Sequence, residues 1–318
     1  MSRSSQSPIA TLTMNPSLDI ATTTERVVPT HKLRCEPPRR DPGGGGINVA
    51  RVVHILGGQA TAVYPAGGTT GSALQNLLDQ AGIAHQRVIP IRDVTRESFT
   101  IDEAASGGQF RFVLPGPELT REEVQRCLDE LGALEPRPAF VVASGSLPPG
   151  VSDDFYARVA RLTRELGARL IVDTSGAALR HAGREGVFLL KPNLRELQGL
   201  VGAKVQSGRE QEEAARTLIE EGRAEVVVLS LGADGALLVS REVTERFAAI
   251  EVPKRSAVGA GDSMVAATVL GLARGSGLPD AVRFGMAAGA AALMTPGTEL
   301  CRREDVERLY AQALSGTD

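Results

Sequence analysis

The residues best suited to chemistry lie in three short segments. The first is Ser256-Ala-Val-Gly-Ala-Gly-Asp-Ser-Met264, followed directly by the apolar run Val265–Ala273. Gly259, Ala260 and Gly261 allow successive backbone N–H groups to converge at a helix start. The helix dipole adds partial positive charge there, which makes an anion site suited to a phosphoryl group in transfer. Asp262 falls in the first turn of the same helix. A carboxylate beside a phosphate site is repelled by the phosphate unless it has a task, and accepting the proton of an attacking hydroxyl is such a task. Alone, the same acid reads equally well as a partner of the helix dipole. The other two segments favour the base.

The second segment is Asp41-Pro-Gly-Gly-Gly-Gly-Ile-Asn-Val-Ala50. It is not a dinucleotide fingerprint: counted from Gly43 the third glycine position holds Asn48, and from Gly44 it holds Val49. Nor is it a P-loop, because the chain contains no Gly-Lys pair. Gly44, Gly45 and Gly46 before a helix let backbone N–H groups approach a ligand's hydroxyls, and Asn48 can donate and accept toward a vicinal diol. The third segment, Lys191-Pro-Asn-Leu-Arg-Glu196, places Asn193 and Glu196 three apart on one helix face. The pair can hold Mg²⁺ through its waters or cap the helix, and Lys191 can meet a triphosphate. Ser230-Leu-Gly-Ala-Asp-Gly235 reads as a strand-to-turn with room for a flat ligand, with Gly232 and Gly235 in the turn. Asp173-Thr-Ser-Gly176 is a weaker signal. Lys32, Arg34 and Arg96 are cations suited to a phosphate-bearing substrate.

The elements that must position these groups alternate. Strands are expected at Ile9–Thr13, Thr61–Tyr64, Ala139–Ser144, Arg169–Asp173, Val187–Leu190 and Glu225–Ser230. Helical periodicity fits Ile47–Leu56 and Ser152–Leu166. This pattern predicts an α/β fold with a mostly parallel sheet covered on both faces. Ser144, Asp173, Lys191 and Ser230 fall at or just past strand C-terminal ends, where ligands bind in such sheets. Ile20–Pro38 and Thr95–Leu114 break the alternation and read as extended. The second has the form of a hairpin about Ser106-Gly107-Gly108. Together they predict a small β-sheet lid, whose free edge a second copy of the chain would cover.

The 318 residues are 42% hydrophobic and 23% charged, a globular balance, with 3% aromatics and no Trp. A net charge of -3 gives no general attraction to nucleic acid or to acidic membranes. Cys35, Cys127 and Cys301 lack metal-type spacing and read as free thiols of a reducing compartment. Met1–Ser7 has no apolar signal-peptide run, and no uncharged stretch is long enough to span a bilayer, so a cytoplasmic protein is expected.

TLTMNPSLD, KLRCEPPRRDPGGGGINVAR, GSLPPGV, DTSGAAL, KPNLREL, VVLSLGADGAL and SAVGAGDSMVAA occur in that order between about residues 9 and 301. In these motifs the chain resembles the ribokinase-like carbohydrate kinases, the PfkB family, and within it the bacterial minor-type 6-phosphofructokinases. The resemblance implies a three-layer α/β/α body (8–19, 39–94 and 115–318) with a discontinuous β-sheet lid (20–38 and 95–114) through which a homodimer forms. It implies ATP-dependent phosphorylation of O1 of fructose 6-phosphate, a ketohexose phosphate, giving fructose 1,6-bisphosphate. Asp262 matches the catalytic base and Gly259–Gly261 the anion hole. Asp19, Gly44, Gly45, Gly46 and Asn48 match the sugar segment. Lys32, Arg96 and Ser144 match positions near the substrate phosphate, and Arg34 one that reaches a neighbouring subunit's site. Lys191, Asn193, Glu196, Ser230, Gly232 and Gly235 match the nucleotide and Mg²⁺ region. Ser256, Val258, Ala292 and Gly297 match a K⁺ loop bound through backbone carbonyls. Thr295 and Glu299 stand where the compared relative has Asn and Arg. The uninterrupted GGGG favours a 6-phosphate substrate over fructose 1-phosphate. Tagatose-6-phosphate kinase, 1-phosphofructokinase and a non-catalytic sugar-phosphate sensor are the other readings.

Overall fold

The computed structural model describes residues 6–315; Met1–Ser5, most of the stretch read for a signal peptide, lie outside it. Among the described residues, a nine-stranded sheet forms the centre. Its strands run β13 (Thr244–Phe247), β12 (Ala236–Ser240), β11 (Ala224–Ser230), β10 (Val187–Leu190), β9 (Arg169–Asp173), β8 (Phe140–Ser144), β1 (Ile9–Leu12), β4 (Thr61–Ala66) and β5 (Gln86–Pro90). From β11 to β5 every neighbour pairs in parallel, and the hairpin strands β12 and β13 pair antiparallel.

Apart from the edge strand β5, the parallel strands are short, mostly apolar runs buried on both faces, as crossover helices require. In β8, Val141 and Ala143 face one helix layer while Phe140 and Val142 face the other. The first layer is α3 (Arg121–Gly132), α4 (Phe155–Glu165), α5 (Gly176–Glu185), α6 (Leu194–Val201) and α7 (Gly208–Glu220). The second is α1 (Gly45–Ile55), α2 (Gly68–Gln80), α8 (Ala260–Ala273), α9 (Leu278–Leu293) and α10 (Arg303–Ser315). Helix α8 is apolar around its whole circumference past the first turn, and it is buried from Ser263 to Gly271. Burial on all sides fixes the direction of its N-terminus. That end meets the C-terminal edge of the sheet, where Ser144, Asp173, Lys191 and Ser230 also lie. None of the described helices is long and apolar enough to cross a membrane.

A second sheet has four strands in the order β3 (Arg39–Gly43), β2 (Ser17–Thr24), β6 (Arg96–Glu103) and β7 (Gln109–Val113). The β6–β7 hairpin turns at Gly107, whose φ is 68° and whose N–H donates to Glu103 O over 2.9 Å. Segment 25–38 is irregular apart from a bridge between Thr24 and Cys35; Pro29, Pro37 and Pro38 supply no N–H to a ladder. The small sheet instead takes Ser17–Asp19 and Arg39–Gly43, which the bounds implied by the resemblance place with the α/β body. Its register aligns Ile20 with Phe99 and Phe99 with Phe112 on one face. Asp19, Arg96 and Arg111 fall on the opposite face by strand alternation. Phe110 and Phe112 are exposed.

Candidate active site

Asp262 is the third residue of α8, and Gly259 caps that helix with no side-chain hydrogen bond. Gly259 has φ 74° and lies so close to Leu300 that a Cβ would stand 2.6 Å from its Cδ2. A side chain here would be strained in conformation and crowded in space, and without one the first amides of α8 stay open toward the cleft. Asp262 Oδ2 accepts a hydrogen bond from Asn48 Nδ2 at 2.9 Å. The carboxyl keeps partial contact with the cleft. Burial and the neighbouring Asp173 nevertheless push its pKa up to about 6, against the Asn48 hydrogen bond and the Lys191 charge, which favour the ionised form. A carboxylate of that strength is ionised at neutral pH and still basic enough to take a proton.

The glycine segment forms the entry to α1. Gly45 packs against the end of β8, where a Cβ would lie 2.2 Å from Ser144 Oγ, so only glycine fits between α1 and β8. Gly44 and Gly46 flank it over Thr13. Ser144 is buried at its strand end. Asn48, read for a diol, has both ends of its amide engaged by protein: the nitrogen on Asp262, and the oxygen accepting from Arg51 Nη1 at 3.3 Å. Asp19 lies over Gly43 and accepts from Ser17 Oγ at 2.6 Å. Its pKa is raised by burial, opposed by Ser17 and by the charges of Arg96, Arg111 and Arg51. Arg96 donates to Asn15 O and to Leu114 O, both at 3.1 Å, and its buried Nε has no partner.

Lys191 is buried just past β10, with Nζ 3.1 Å from Asp173 Oδ1. Burial opposes its charge, but Asp173, Glu196 and Asp262 together outweigh that penalty and the lysine pKa is raised. A Cβ on Gly261 would be 3.7 Å from Nζ, so the ammonium stands next to the amides of α8. Asn193 and Glu196 cap α6 reciprocally: Glu196 N donates to Asn193 Oδ1 at 2.9 Å and Asn193 N to Glu196 Oε2 at 2.8 Å. The cap that the spacing allows is formed, and it does not exclude a metal held through water. It leaves Glu196 Oε1 and Asn193 Nδ2 for other partners. Ser230 bonds to Pro192 O through both its amide and its hydroxyl. Gly232 and Gly235 bound the following 3₁₀ turn.

Ser256 and Val258, in the loop before α8, and Gly297, in the loop after α9, cluster with Ala292 in the last turn of α9. Ser256 Oγ donates to Gly297 O at 2.8 Å and accepts from Val258 N at 3.2 Å; Thr295 Oγ1 donates to Ala292 O at 2.8 Å. Lys32 and Arg34 are not brought to this cleft within one chain. Arg34 O bonds to Thr24 at the far end of β2, seven residues and about 23 Å of strand from Ser17.

Asp173, Arg111 and Arg51 stand among the site groups although the motif reading gave them little or no weight. Asp173 had a usable signal, an acid closing a buried strand. Arg111 alternates with Phe110 and Phe112 and so shares the Asp19 face. Arg51 reads as a solvated helix position, yet its side chain is only 12% exposed.

Residues 12–305 match the profile of the pfkB family carbohydrate kinases. The chain is 56% identical over 310 residues to ATP-dependent 6-phosphofructokinase isozyme 2 of Mycobacterium tuberculosis, covering 98% of this chain and 91% of that protein. Phosphofructokinase-2 from Escherichia coli, solved in complex with fructose-6-phosphate, superimposes with a TM-score of 0.92 at 41% identity, over 97% of this chain and 99% of that one. The same enzyme solved with potassium gives a TM-score of 0.92 at 42% identity, over 97% and 99%. With the match spanning nearly its whole length, the chain belongs to the pfkB family of carbohydrate kinases.

Proposed function

We propose that this protein transfers the γ-phosphoryl group of MgATP to the O1 hydroxyl of fructose 6-phosphate. The observation that carries the reading is Asp262, held by Asn48 at the open amides of α8 and tuned to a pKa of about 6. Asp262 takes the O1 proton as the O1–Pγ bond forms and the bond from Pγ to the β-phosphate oxygen breaks. ADP leaves with that oxygen's negative charge. The amides of Gly259–Gly261 and the Lys191 ammonium offset charge on the transferring oxygens. Asp19 and the amides of Gly44–Gly46 orient the sugar, while Arg96, Arg111 and Ser144 hold its own phosphate. Mg²⁺ arrives with the nucleotide, and Glu196 Oε1, the carboxylate oxygen the α6 cap leaves over, is the group to meet its waters.

The Gly297 carbonyl takes one hydroxyl donor and keeps a second lone pair, while the Ala292 carbonyl accepts from both the hydroxyl and the amide of Thr295. With Ser256 and Val258 they form an uncharged oxygen set that fits a weakly hydrated K⁺ better than a divalent ion. Such an ion adds fixed positive charge near the start of α8.

The small sheet serves as a lid over the sugar. Its outer face carries Ile20, Phe99, Ile101, Phe110 and Phe112, and a second copy laid on that face covers the apolar surface and the open β7 edge. Lys32 and Arg34, distant from their own cleft, then reach the partner's site.

An ADP-release assay with fructose 6-phosphate, tagatose 6-phosphate and fructose 1-phosphate, with and without K⁺, tests the assignment. The highest kcat/KM on fructose 6-phosphate is expected. Preference for another ketose phosphate moves the chain to a sibling activity, and binding without turnover makes it a sensor.

A further inference from the structure

A buried carboxylate outside the reaction centre ties together three parts of the molecule, where Arg39–Glu299 and Arg51–Pro42 each join only two of them. Asp41, 6% exposed, is on β3 of the small sheet. Arg39 grips it with Nη2 on Oδ1 at 3.0 Å and Nε on Oδ2 at 2.8 Å. Thr298, one residue past the cation-loop position Gly297, donates Oγ1 to Asp41 Oδ2 at 2.6 Å within the interior. From α1, Arg51 Nη2 reaches Oδ1 at 3.5 Å while its Nη1 donates to Pro42 O at 2.8 Å and to Asn48 Oδ1 at 3.3 Å. Asn48 in turn donates to Asp262. An unbroken run of hydrogen bonds therefore leads from Thr298 through Asp41, Arg51 and Asn48 to the reacting carboxylate.

Its polarity is specified end to end. Arg51 can only donate, so it must find the Asn48 oxygen. That fixes the amide with its nitrogen toward Asp262, where the reverse orientation would set oxygen against carboxylate. Asp41 supplies the counter-charge that keeps a guanidinium in this buried place; an uncompensated one would not stay there. We propose that Asp41 is a positioning residue for phosphoryl transfer: it braces Arg51, and through it the Asn48 amide, so that Asp262 is oriented only when the small sheet and the loop at Thr298 are in place. The proposal rests on Asp262 being the base.

The test is Asp41→Asn, with kcat and both KM values followed from pH 5 to pH 9. A misoriented base predicts kcat roughly 10- to 100-fold lower with KM for MgATP within about twofold. Losing the Asn48 hydrogen bond also removes a contribution that favours ionised Asp262. Burial, Asp173 and Asp19 then disfavour ionisation against Lys191 alone, and the acid limb of kcat moves up by about one pH unit. Thr298→Val, which does not touch Asp262 or Asn48, is the second variant; it should move the limb the same way by less, and it carries the test if Asp41→Asn does not fold. Activity that falls only with the folded fraction, the acid limb unmoved in the folding variant, overturns the proposal. An Asp262→Asn enzyme run in parallel separates the two ideas, since near-normal turnover there would sink the base assignment itself.

Discussion

Replacing Asp262 by Asn should make this protein more stable and nearly inactive at once. In the folded chain the carboxyl titrates at about 6, pushed there by burial and Asp173; unfolded, it titrates near about 3.9. The folded state therefore holds the proton more tightly. Between those two values stability falls as pH rises, and the cost is fully present at neutral pH. A gap of about two units corresponds to about 3 kcal/mol, and partial solvent contact reduces the expected cost to on the order of 1–2 kcal/mol. Asn keeps the shape and can still meet Asn48, so Asp262→Asn should gain that amount, a rise in Tm of a few degrees. The gain should vanish when the scan is repeated below about pH 3, where the wild-type carboxyl is protonated in both states. Turnover should fall at least about 100-fold. In the wild type, about 91% of the base is ionised at pH 7 and about 9% at pH 5, so kcat/KM should drop about tenfold between them. The assays are calorimetry across pH and ADP release. A lower Tm for the variant at pH 7, or a Tm difference independent of pH, would refute the claim that the fold holds this acid against its preference.

Arg96→Ala should weaken fructose 6-phosphate binding by about 1.5–3 kcal/mol, the scale of a hydrogen bond to a charged group, read as KM raised roughly 10- to 150-fold. An unchanged KM removes Arg96 from the site. Gly45→Ala places a methyl against Ser144 Oγ and the Gly145 amide, and should cost about 1–3 kcal/mol in denaturant melts together with sugar affinity. Lys191→Met should raise KM for MgATP and lower kcat, because it removes the ammonium beside the α8 amides and leaves Asp173 unpaired; kinetics unaltered at saturating nucleotide would argue against the role. Phe112→Asp should give a monomer by light scattering if a second copy covers the lid, and an unchanged mass would show that the face is not the interface.

What the sequence made legible divides by the range of the interaction. The strands at Arg169–Asp173 and Val187–Leu190 coincide with those observed, because an apolar run closed by Gly, Pro or a charge is a local signal. The start of α8 is legible for the same reason: two glycines, an acid and an apolar run are adjacent in the chain. The membership of the small sheet is not local. Arg39–Gly43 carries charges, a proline and a glycine, and it is a strand only because β2 offers it a ladder. Asn193 and Glu196 show the limit of spacing as evidence, since three apart serves a cap and a water-held metal equally, and the cap that forms leaves one carboxylate oxygen of Glu196 over. Arg51 and Asp41 were opaque because a buried ion pair leaves no periodic trace.

The charge arithmetic of the cleft explains why composition revealed so little about its ligand. Asp262, Asp173 and Asp19 are three carboxylates in or beside a site that must receive two phosphorylated molecules, and the buried cation beside the α8 amides is Lys191, already paired with Asp173. A net charge of -3 is thus not a surface accident set against a basic pocket; the pocket itself begins short of positive charge. The deficit has to be met by groups that a count of Lys and Arg does not weigh: oriented amides at a helix start, carbonyl-held or nucleotide-borne cations, and arginines carried on a separate sheet. Arg96 and Arg111 share one face of the small sheet with Asp19, so their charge offsets that of Asp19 before any ligand binds. What they have left for a sugar phosphate is the part of their charge that one buried carboxylate does not use.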